Sequence, residues 1–145
     1  MKIAIASDHS GYKYKEQVKA VLIEQGHEVK DFGTHSAEVC DYPDVIRPGA
    51  QAVAAGKYER GIVFSGTGNS SAIVANKVPG VRCAVCWDLR SARFSRENND
   101  ANMLSLGERM TSIQGALEIV ELWLKTPFAG GRHKKRITKI EKPWN

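Results

Sequence analysis

The chain has 145 residues, of which 42% are hydrophobic and 26% are charged, and its formal net charge is +5. This size and composition predict a single domain over residues 1–145 and exclude two independent cores. The three cysteines are an odd number and have no histidine at ligand spacing, which argues against a disulfide framework and a zinc site and favours a reducing, cytoplasmic setting. No stretch approaches the roughly 18 apolar residues of a membrane span, so we expect a soluble protein.

Apolar runs alternate with stretches of helical period along the chain. Residues 3–7 are predicted as a buried strand, and residues 13–25 as an amphipathic helix that ends at Gly26. Further strands are predicted over 28–31, 61–65, 81–86 and 102–106, and further helices over 44–55, 70–77, 89–97 and from Ile113 to Leu124. Pro48 predicts either an early kink or a late start of the second helix. A basic tail follows at 132–142.

This alternation predicts an α/β fold with a parallel sheet of about five strands, covered by helices on both faces. Ligands of such open sheets bind beyond the carboxyl ends of the strands. The loops to inspect are therefore SDHSG after the first strand, GTGNS after the third, WDLRS after the fourth and GERM after the fifth.

The segment SGTGNSS at residues 65–71 passes from a strand end through two glycines into a helix start. Glycines allow close backbone approach, and the N–H groups of a first helical turn can hold an anion, so the segment is a candidate anion cradle. The competing interpretation is a tight turn capped by Asn69 or Ser70. A dinucleotide site is disfavoured because the third glycine is missing, and no GK[ST] of a Walker loop is present.

Other polar residues have a catalytic and a structural interpretation each. Asp8 and His9 could transfer protons, or Asp8 could cap the next helix while His9 stands in an exposed loop. Asn98 and Asn99 could bind hydroxyl groups of a polyol, or they could shape a turn. Arg109 offers a planar fork for phosphate oxygens.

The basic tail holds six basic residues and one acidic residue, so it carries the whole net charge. Arg132 and Arg136 stand four residues apart and share a face if the tail is helical. Such a segment could be a solvated or interfacial helix, a grip for a small anion or a contact for nucleic acid. Nucleic acid is the weakest of these because no stacking platform or helix-turn-helix pattern accompanies the charge.

Seven linked motifs in order resemble one known family. They are SDHSGYKYKE, GT followed by DYPD, GIVFSGTGNS, ANKVPGVRCAV, RENNDANML, GERM and FAGGRHKKR. Over nearly its whole length the chain resembles the ribose-5-phosphate isomerase B and galactose-6-phosphate isomerase family. The resemblance implies a Rossmann-like three-layer α/β/α sandwich and a homodimer or homotetramer with active sites shared between subunits. It also implies metal-free and cofactor-free interconversion of an aldose phosphate and a ketose phosphate through a cis-enediolate.

The resemblance further assigns expected roles by position. The enediolate end of the substrate would lie against Gly66, Thr67, Gly68, Asn69 and Ser70, while Asp8, Asp41, Tyr42 and Asn99 would lie near its hydroxyl groups. The phosphate end would be held by His9, Arg109, Arg132, His133 and Arg136. Under this reading the positive tail is a phosphate clamp rather than a solvated face.

Two positions depart from the family pattern. Family enzymes commonly carry a cysteine base where Ser65 stands, or in another subgroup a glutamate where Ser71 stands, and a ring-opening histidine where Asn98 stands. A serine hydroxyl is a weak base without a neighbour to take its proton, and an asparagine amide does not titrate.

These departures leave three interpretations open. The first is an isomerase of a related pentose or tetrose phosphate, with Asp8, Asp41 or Ser65 in an altered proton relay. A four-carbon phosphate cannot close the same ring, so it would need no ring-opening residue. The second is a slow ribose-5-phosphate isomerase. The third is a sugar-phosphate-binding or regulatory subunit without catalysis of its own.

Overall fold

Residues 1–143, which the computed structural model describes, form five strands and six helices. In chain order these are β1 Lys2–Ser7, α1 Tyr12–Glu24, β2 Glu28–Asp31, α2 Tyr42–Ala54, β3 Arg60–Ser65, α3 Asn69–Asn76, β4 Cys83–Val85, α4 Leu89–Glu97, β5 Met103–Gly107, α5 Ile113–Lys125 and α6 Arg132–Glu141. None of the helices in these residues is long and apolar enough to cross a membrane.

The strands form one parallel sheet in the order β2-β1-β3-β5-β4, as the alternation predicts. Side chains of successive strand residues point to opposite faces, so each central strand contributes side chains to two apolar layers. Ile5 and Phe64 pack with residues of α1, α4 and α5, whereas Val63 and Met103 pack with residues of α2 and α3. The predicted three-layer α/β/α sandwich is therefore confirmed.

The main differences from the predicted elements lie in β4 and α2. Strand β4 spans three residues instead of six because it is an edge strand that pairs only with β5, and the backbone of Arg82 is instead bonded to Asn102. Helix α2 begins at Tyr42, earlier than predicted, because Pro43 fits the first helical turn, where its missing N–H has no partner to lose. Of the two alternatives given for Pro48, the late start is wrong, because Pro48 lies inside the helix.

The parallel strands give the sheet two distinct edges. The carboxyl edge contains the strand ends Ser7, Ser65 and Gly107, and the amino edge lies about 17 Å away, at roughly 3.3 Å per residue. The segment before α6 runs along the amino edge, where the Ala129 N–H donates to the carbonyl of Glu97 over 3.1 Å. The far end of α6 is also there, since Glu141 forms an ion pair with Arg82.

Candidate active site

Three loops meet at the carboxyl edge because β1, β3 and β5 are neighbours in the sheet. The Asp8 N–H donates to the carbonyl of Phe64 over 3.2 Å, which joins the SDHSG loop to β3. The Arg109 N–H donates to the carbonyl of Gly66 over 2.8 Å, which joins the GERM loop to the glycine turn. The edge therefore gathers residues from three distant parts of the sequence.

The glycine turn is shaped by backbone geometry rather than by a side-chain cap. Gly68 has φ +85° and is the N-cap of α3, which has no side-chain cap bond, so the competing interpretation of a turn capped by Asn69 or Ser70 is wrong. A Cβ on Gly107 would lie 2.4 Å from the carbonyl carbon of Thr67. Only glycine at both positions lets the turn lie directly on the end of β5, with the first-turn N–H groups of α3 unpaired within the helix.

A guanidinium group lies beside this turn. A Cβ built on Gly66 would be 3.6 Å from Nε of Arg109 and 3.9 Å from Cβ of Ser10. The guanidinium group therefore lies within van der Waals reach of the backbone at Gly66. The N–H of Asn69 donates to the hydroxyl of Thr67 over 3.3 Å, but the positive end of the helix and the neighbouring arginine still make an environment that favours a bound anion.

Asp8 is a buried carboxylate at the same edge. Its Oδ1 accepts the N–H of Gly11 over 2.9 Å, so it stabilises the turn before α1 instead of capping that helix, whose N-cap is Gly11 itself. Among the described residues, no hydrogen-bond donor binds its second oxygen. That oxygen is available to accept a proton or a substrate hydroxyl.

His9 connects this edge to the long loop before α2. Its Nδ1 accepts the N–H of Cys40 over 3.3 Å, which places the start of α2 near the SDHSG loop. Asp41 is the N-cap of α2, and both Asp41 and Tyr42 are exposed. These two residues thus lie at the rim of the edge.

Beneath the glycine turn lies a chain of buried serines that the sequence reading missed in part. Ser105 stands in the apolar strand β5, and its hydroxyl donates to the carbonyl of Gly68 over 2.6 Å. Ser71 lies 2.7 Å from Ser105 and 2.9 Å from Ser65, measured between hydroxyl oxygens. The N–H of Gly68 donates to the Ser65 oxygen over 3.0 Å, so the chain of hydrogen bonds begins and ends at Gly68. A hydroxyl inside an apolar strand was the available signal for Ser105.

The partners of these hydroxyls are other hydroxyls and one backbone carbonyl. Ser105 and Ser71 both donate to the carbonyl of Gly68, over 2.6 Å and 3.2 Å, and Ser65 is bonded to Ser71. The chain ends on a peptide carbonyl, which is not a base. Ser65 therefore has neighbours, but none of them can take its proton.

The remaining predicted residues lie elsewhere in the same chain. Asn98 and Asn99 follow α4 at the amino edge, and α6 carries Arg132 and Arg136 along that edge. The expected convergence of the basic tail with the glycine turn does not occur within one chain. The physical reason is that α4 and α5 both run from the carboxyl edge to the amino edge and deliver the following segments there.

Helix α6 is unusually exposed. None of its residues is buried, although His133, Ile137 and Ile140 lie on one face by helical spacing. Arg132 and Arg136 are exposed on the neighbouring turns, four residues apart as expected. A helix with apolar residues that its own chain does not bury is typical of a contact with another molecule.

Two cysteines are unsuited to act as a base, and the described residues form no metal-binding cluster. Burial raises the pKa of the Cys83 and Cys86 thiols, so both are protonated at neutral pH and unsuited to act as a base. Within residues 1–143, no group of three or more histidine, cysteine or acidic side chains is arranged to hold a metal ion.

Comparisons with known proteins cover almost the whole chain. Residues 3–140 match the family model described as Ribose/Galactose Isomerase. Ribose-5-phosphate isomerase B of Escherichia coli (strain K12) is 43% identical over 139 residues, which cover 96% of this chain and 93% of that relative.

Solved structures give the same result. Ribose-5-phosphate isomerase B of Clostridium thermocellum has a TM-score of 0.96 and 53% identity, covering 97% of this chain and 95% of that one. The Mycoplasma genitalium enzyme with bound ribulose-5-phosphate has a TM-score of 0.93 and 35% identity, covering 97% and 93% of the two chains.

Proposed function

Since the chain belongs to the ribose/galactose isomerase family, we propose that it interconverts an aldose phosphate and a ketose phosphate through a cis-enediolate. The substrate is a small sugar phosphate, either ribose-5-phosphate with ribulose-5-phosphate or a related pentose or tetrose phosphate. The reaction moves a proton between two adjacent carbons and needs no net oxidant, so side chains and backbone donors are sufficient for it.

The observation that carries this proposal is the meeting of Asp8, the glycine turn and Arg109 at one edge of the sheet. An aldose–ketose isomerase needs a base beside the carbon that loses its proton, donors for the developing oxyanion and a cation for the remote phosphate. The carboxyl edge offers a group of each kind within three adjoining loops.

We assign the role of base to Asp8 rather than to Ser65. The Ser65 hydroxyl is bonded to the Ser71 hydroxyl, and the serine chain ends on the carbonyl of Gly68, so none of these groups is a base for the Ser65 proton. Asp8 is a carboxylate with one oxygen that has no donor among the described residues. In this assignment Ser65 acts by holding the N–H of Gly68, and Asp41 at the rim is the remaining candidate for proton transfer.

The backbone of residues 66–70 stabilises the enediolate in this proposal. The N–H groups of a first helical turn carry partial positive charge, and they are already oriented before the substrate arrives. In the same proposal, His9 and Arg109 bind the phosphate end of the substrate. Tyr42 and Asp41 border the hydroxyl groups of the substrate.

A complete site in this proposal requires two chains. Asn98, Asn99, Arg132, His133 and Arg136 lie at the amino edge, too far from the glycine turn of the same chain to meet one small substrate. We therefore propose a homodimer, or a homotetramer built from such dimers, in which the amino edge of one subunit faces the carboxyl edge of its partner. We also place the protein in the cytoplasm, where its three free cysteines would stay reduced.

The test is proton exchange on a panel of substrates. The pure protein is incubated in deuterated water with aldose and ketose phosphates of four to six carbons, and NMR detects deuterium at the carbon next to the carbonyl. Exchange and product formation on at least one member are expected. Absence of both on every member, together with a raised melting temperature in phosphorylated sugars only, would make the protein a binding subunit instead.

A further inference from the structure

Arg82 joins two separate segments of the amino edge. We propose that Arg82 is a positioning residue, which fixes the turn at residues 98–100 and helix α6 in one arrangement. The inference rests on the proposed function, because it assumes that both segments contribute to a site shared with the partner subunit.

The first half of this arrangement is the turn. Nε of Arg82 donates to the carbonyl of Asn99 over 3.1 Å, and Nη2 donates to the carbonyl of Asp100 over 2.9 Å. Asp100 has φ +45°, a left-handed conformation that residues with a side chain rarely adopt. Its carboxylate also accepts a bond of 2.8 Å from Nη1 of Arg96. Two arginines thus hold the backbone that presents Asn98 and Asn99.

The second half is α6. Nη1 of Arg82 lies 2.5 Å from Oε1 of Glu141, at the last turn of the helix. Within residues 1–143, this is the only side-chain hydrogen bond between α6 and the rest of the chain. The other end of α6 follows Gly130 and Gly131, which have φ of +70° and +59° and open space around them. The helix therefore begins after two glycines without packed neighbours, and its end is bonded to Arg82.

Arg82 is itself rigidly placed. Its N–H donates to Oδ1 of Asn102 over 2.8 Å, and its carbonyl accepts the N–H groups of Asn102 and Met103. Its side chain is only 19% exposed. The guanidinium group can therefore hold both segments in fixed positions relative to the sheet, which a flexible surface side chain could not do.

The two contacts have separable consequences. Glu141 affects only α6, and so the phosphate-binding Arg132 and Arg136. We expect Glu141→Gln to raise KM for a phosphorylated substrate about three- to tenfold while kcat stays within about twofold of the unchanged protein, as for loss of a partly exposed ion pair. Arg82→Gln also releases the turn, so we expect it to lower kcat about tenfold or more in addition.

The experiment measures kcat and KM for the best substrate of the panel in the full chain. Glu121→Gln is the matched control, because Glu121 forms an exposed ion pair of 2.8 Å with Lys125 on α5, outside the proposed site. Arg82→Lys provides the conservative test: it keeps a cation for Glu141 but not the two carbonyl contacts. It should restore KM more than kcat.

The outcomes separate the two proposals. If the unchanged protein isomerises a substrate and Glu141→Gln leaves KM at the value of the Glu121→Gln control, the inference about Arg82 is wrong while the proposed function stands. A Glu141→Gln variant that lowers kcat but leaves KM unchanged would also overturn the inference about Arg82, since that result would be a structural effect without a loss of phosphate binding. An unchanged protein that isomerises nothing overturns the proposed function, and the inference with it.

Discussion

At the scale of single residues, Asp8 and Ser65 show how hydrogen bonding decides chemical roles. Both lie at the carboxyl edge, and both were candidates for proton transfer. The Ser65 hydroxyl is part of a closed chain, whereas one oxygen of Asp8 has no donor among the described residues. A hydroxyl bonded only to another hydroxyl and to a backbone N–H has no group that takes its proton, so it cannot serve as a base at neutral pH.

Substitution of Asp8 tests this assignment. Asp8→Asn keeps the shape of the side chain and an acceptor for Gly11 but removes the base, so we expect kcat to fall by about 100- to 10,000-fold. The measurement is deuterium exchange next to the carbonyl, with sugar phosphate binding followed separately by the shift in melting temperature. Ser65→Ala is the comparison variant. A larger loss of kcat in Ser65→Ala than in Asp8→Asn would transfer the role of base to the serine.

Asp31 is the residue for which the structure predicts a pH dependence of stability. Burial alone would raise the pKa of this carboxyl, but the ion pairs with Lys15 and Lys19 and the N–H of Gly33 lower it below its ordinary value of 3.8. Lys15 is fully buried, so loss of its partner leaves a poorly compensated charge. The pair also anchors the loop that leads to Asp41.

The sign of the effect follows from the lowered pKa. The unfolded chain takes up the proton of Asp31 near pH 3.8, before the folded chain does, so the stabilisation by Asp31 is present above that pH and is lost as the pH falls through the folded pKa. We expect Asp31→Asn to lower the free energy of unfolding by about 3 kcal/mol at pH 7. Urea titrations of both proteins at pH 7 and pH 3 measure this loss. A loss in free energy of unfolding as large at pH 3 as at pH 7 would contradict the ion-pair explanation.

At the scale of elements, the close contact between the glycine turn and the end of β5 determines the shape of the site. A Cβ at Gly107 would overlap the backbone of Thr67, and backbone cannot give way as a side chain can. The glycine turn is therefore fixed against the end of β5, and the position of the first turn of α3 depends on that of β5.

Gly107→Ala tests this dependence. We expect a loss of about 2–3 kcal/mol in the free energy of unfolding and a loss of about 100-fold in kcat, because the turn must shift. Gly56→Ala is the matched control: Gly56 has φ +75° but no heavy atom within 4 Å, so it should cost about 1 kcal/mol and leave kcat unchanged. Chemical denaturation and steady-state kinetics on both variants provide the comparison. Equal kcat in the two variants would show that the turn tolerates displacement.

At the scale of the whole molecule, the candidate residues divide between the two edges of the sheet. Asp8, Gly68 and Arg109 lie at one edge, and Asn99 and Arg132 lie at the other. Strands of five or six residues separate these groups by about 17 Å, which is longer than a small sugar phosphate. A site that uses both groups must therefore form between subunits.

Mixing two inactive variants tests the shared site. One chain carries Asp8→Asn, and the other carries Arg132→Ala with Arg136→Ala. If each site uses one edge from each subunit, half of the dimers formed after joint unfolding and refolding are mixed, and one of their two sites is intact, so about a quarter of the original activity should return. Each variant refolded alone is the control. No recovery, with mixed dimers verified by mass, would place all these residues in a site within one subunit.

Most of the architecture was predictable from the sequence because it depends on local patterns. The apolar runs of β1 and β3 and the period of α4 follow from residues within one segment, and α4 spans Leu89–Glu97 as predicted. The extent of β4 was not predictable in this way. An edge strand ends where its one neighbour stops pairing, and that neighbour, β5, lies about 20 residues further along the chain.

Some features of the candidate site were likewise predictable from local sequence, and others were not. Its residue types and the positions of its loops after the strands follow from the order of residues, since parallel strands place their carboxyl ends together. Only the folded chain decided that Ser105 completes the serine chain, that Arg82 joins two segments and that α6 lies at the far edge. These features depend on contacts between residues distant in sequence, whose distances and directions are set by how the helices cross the sheet.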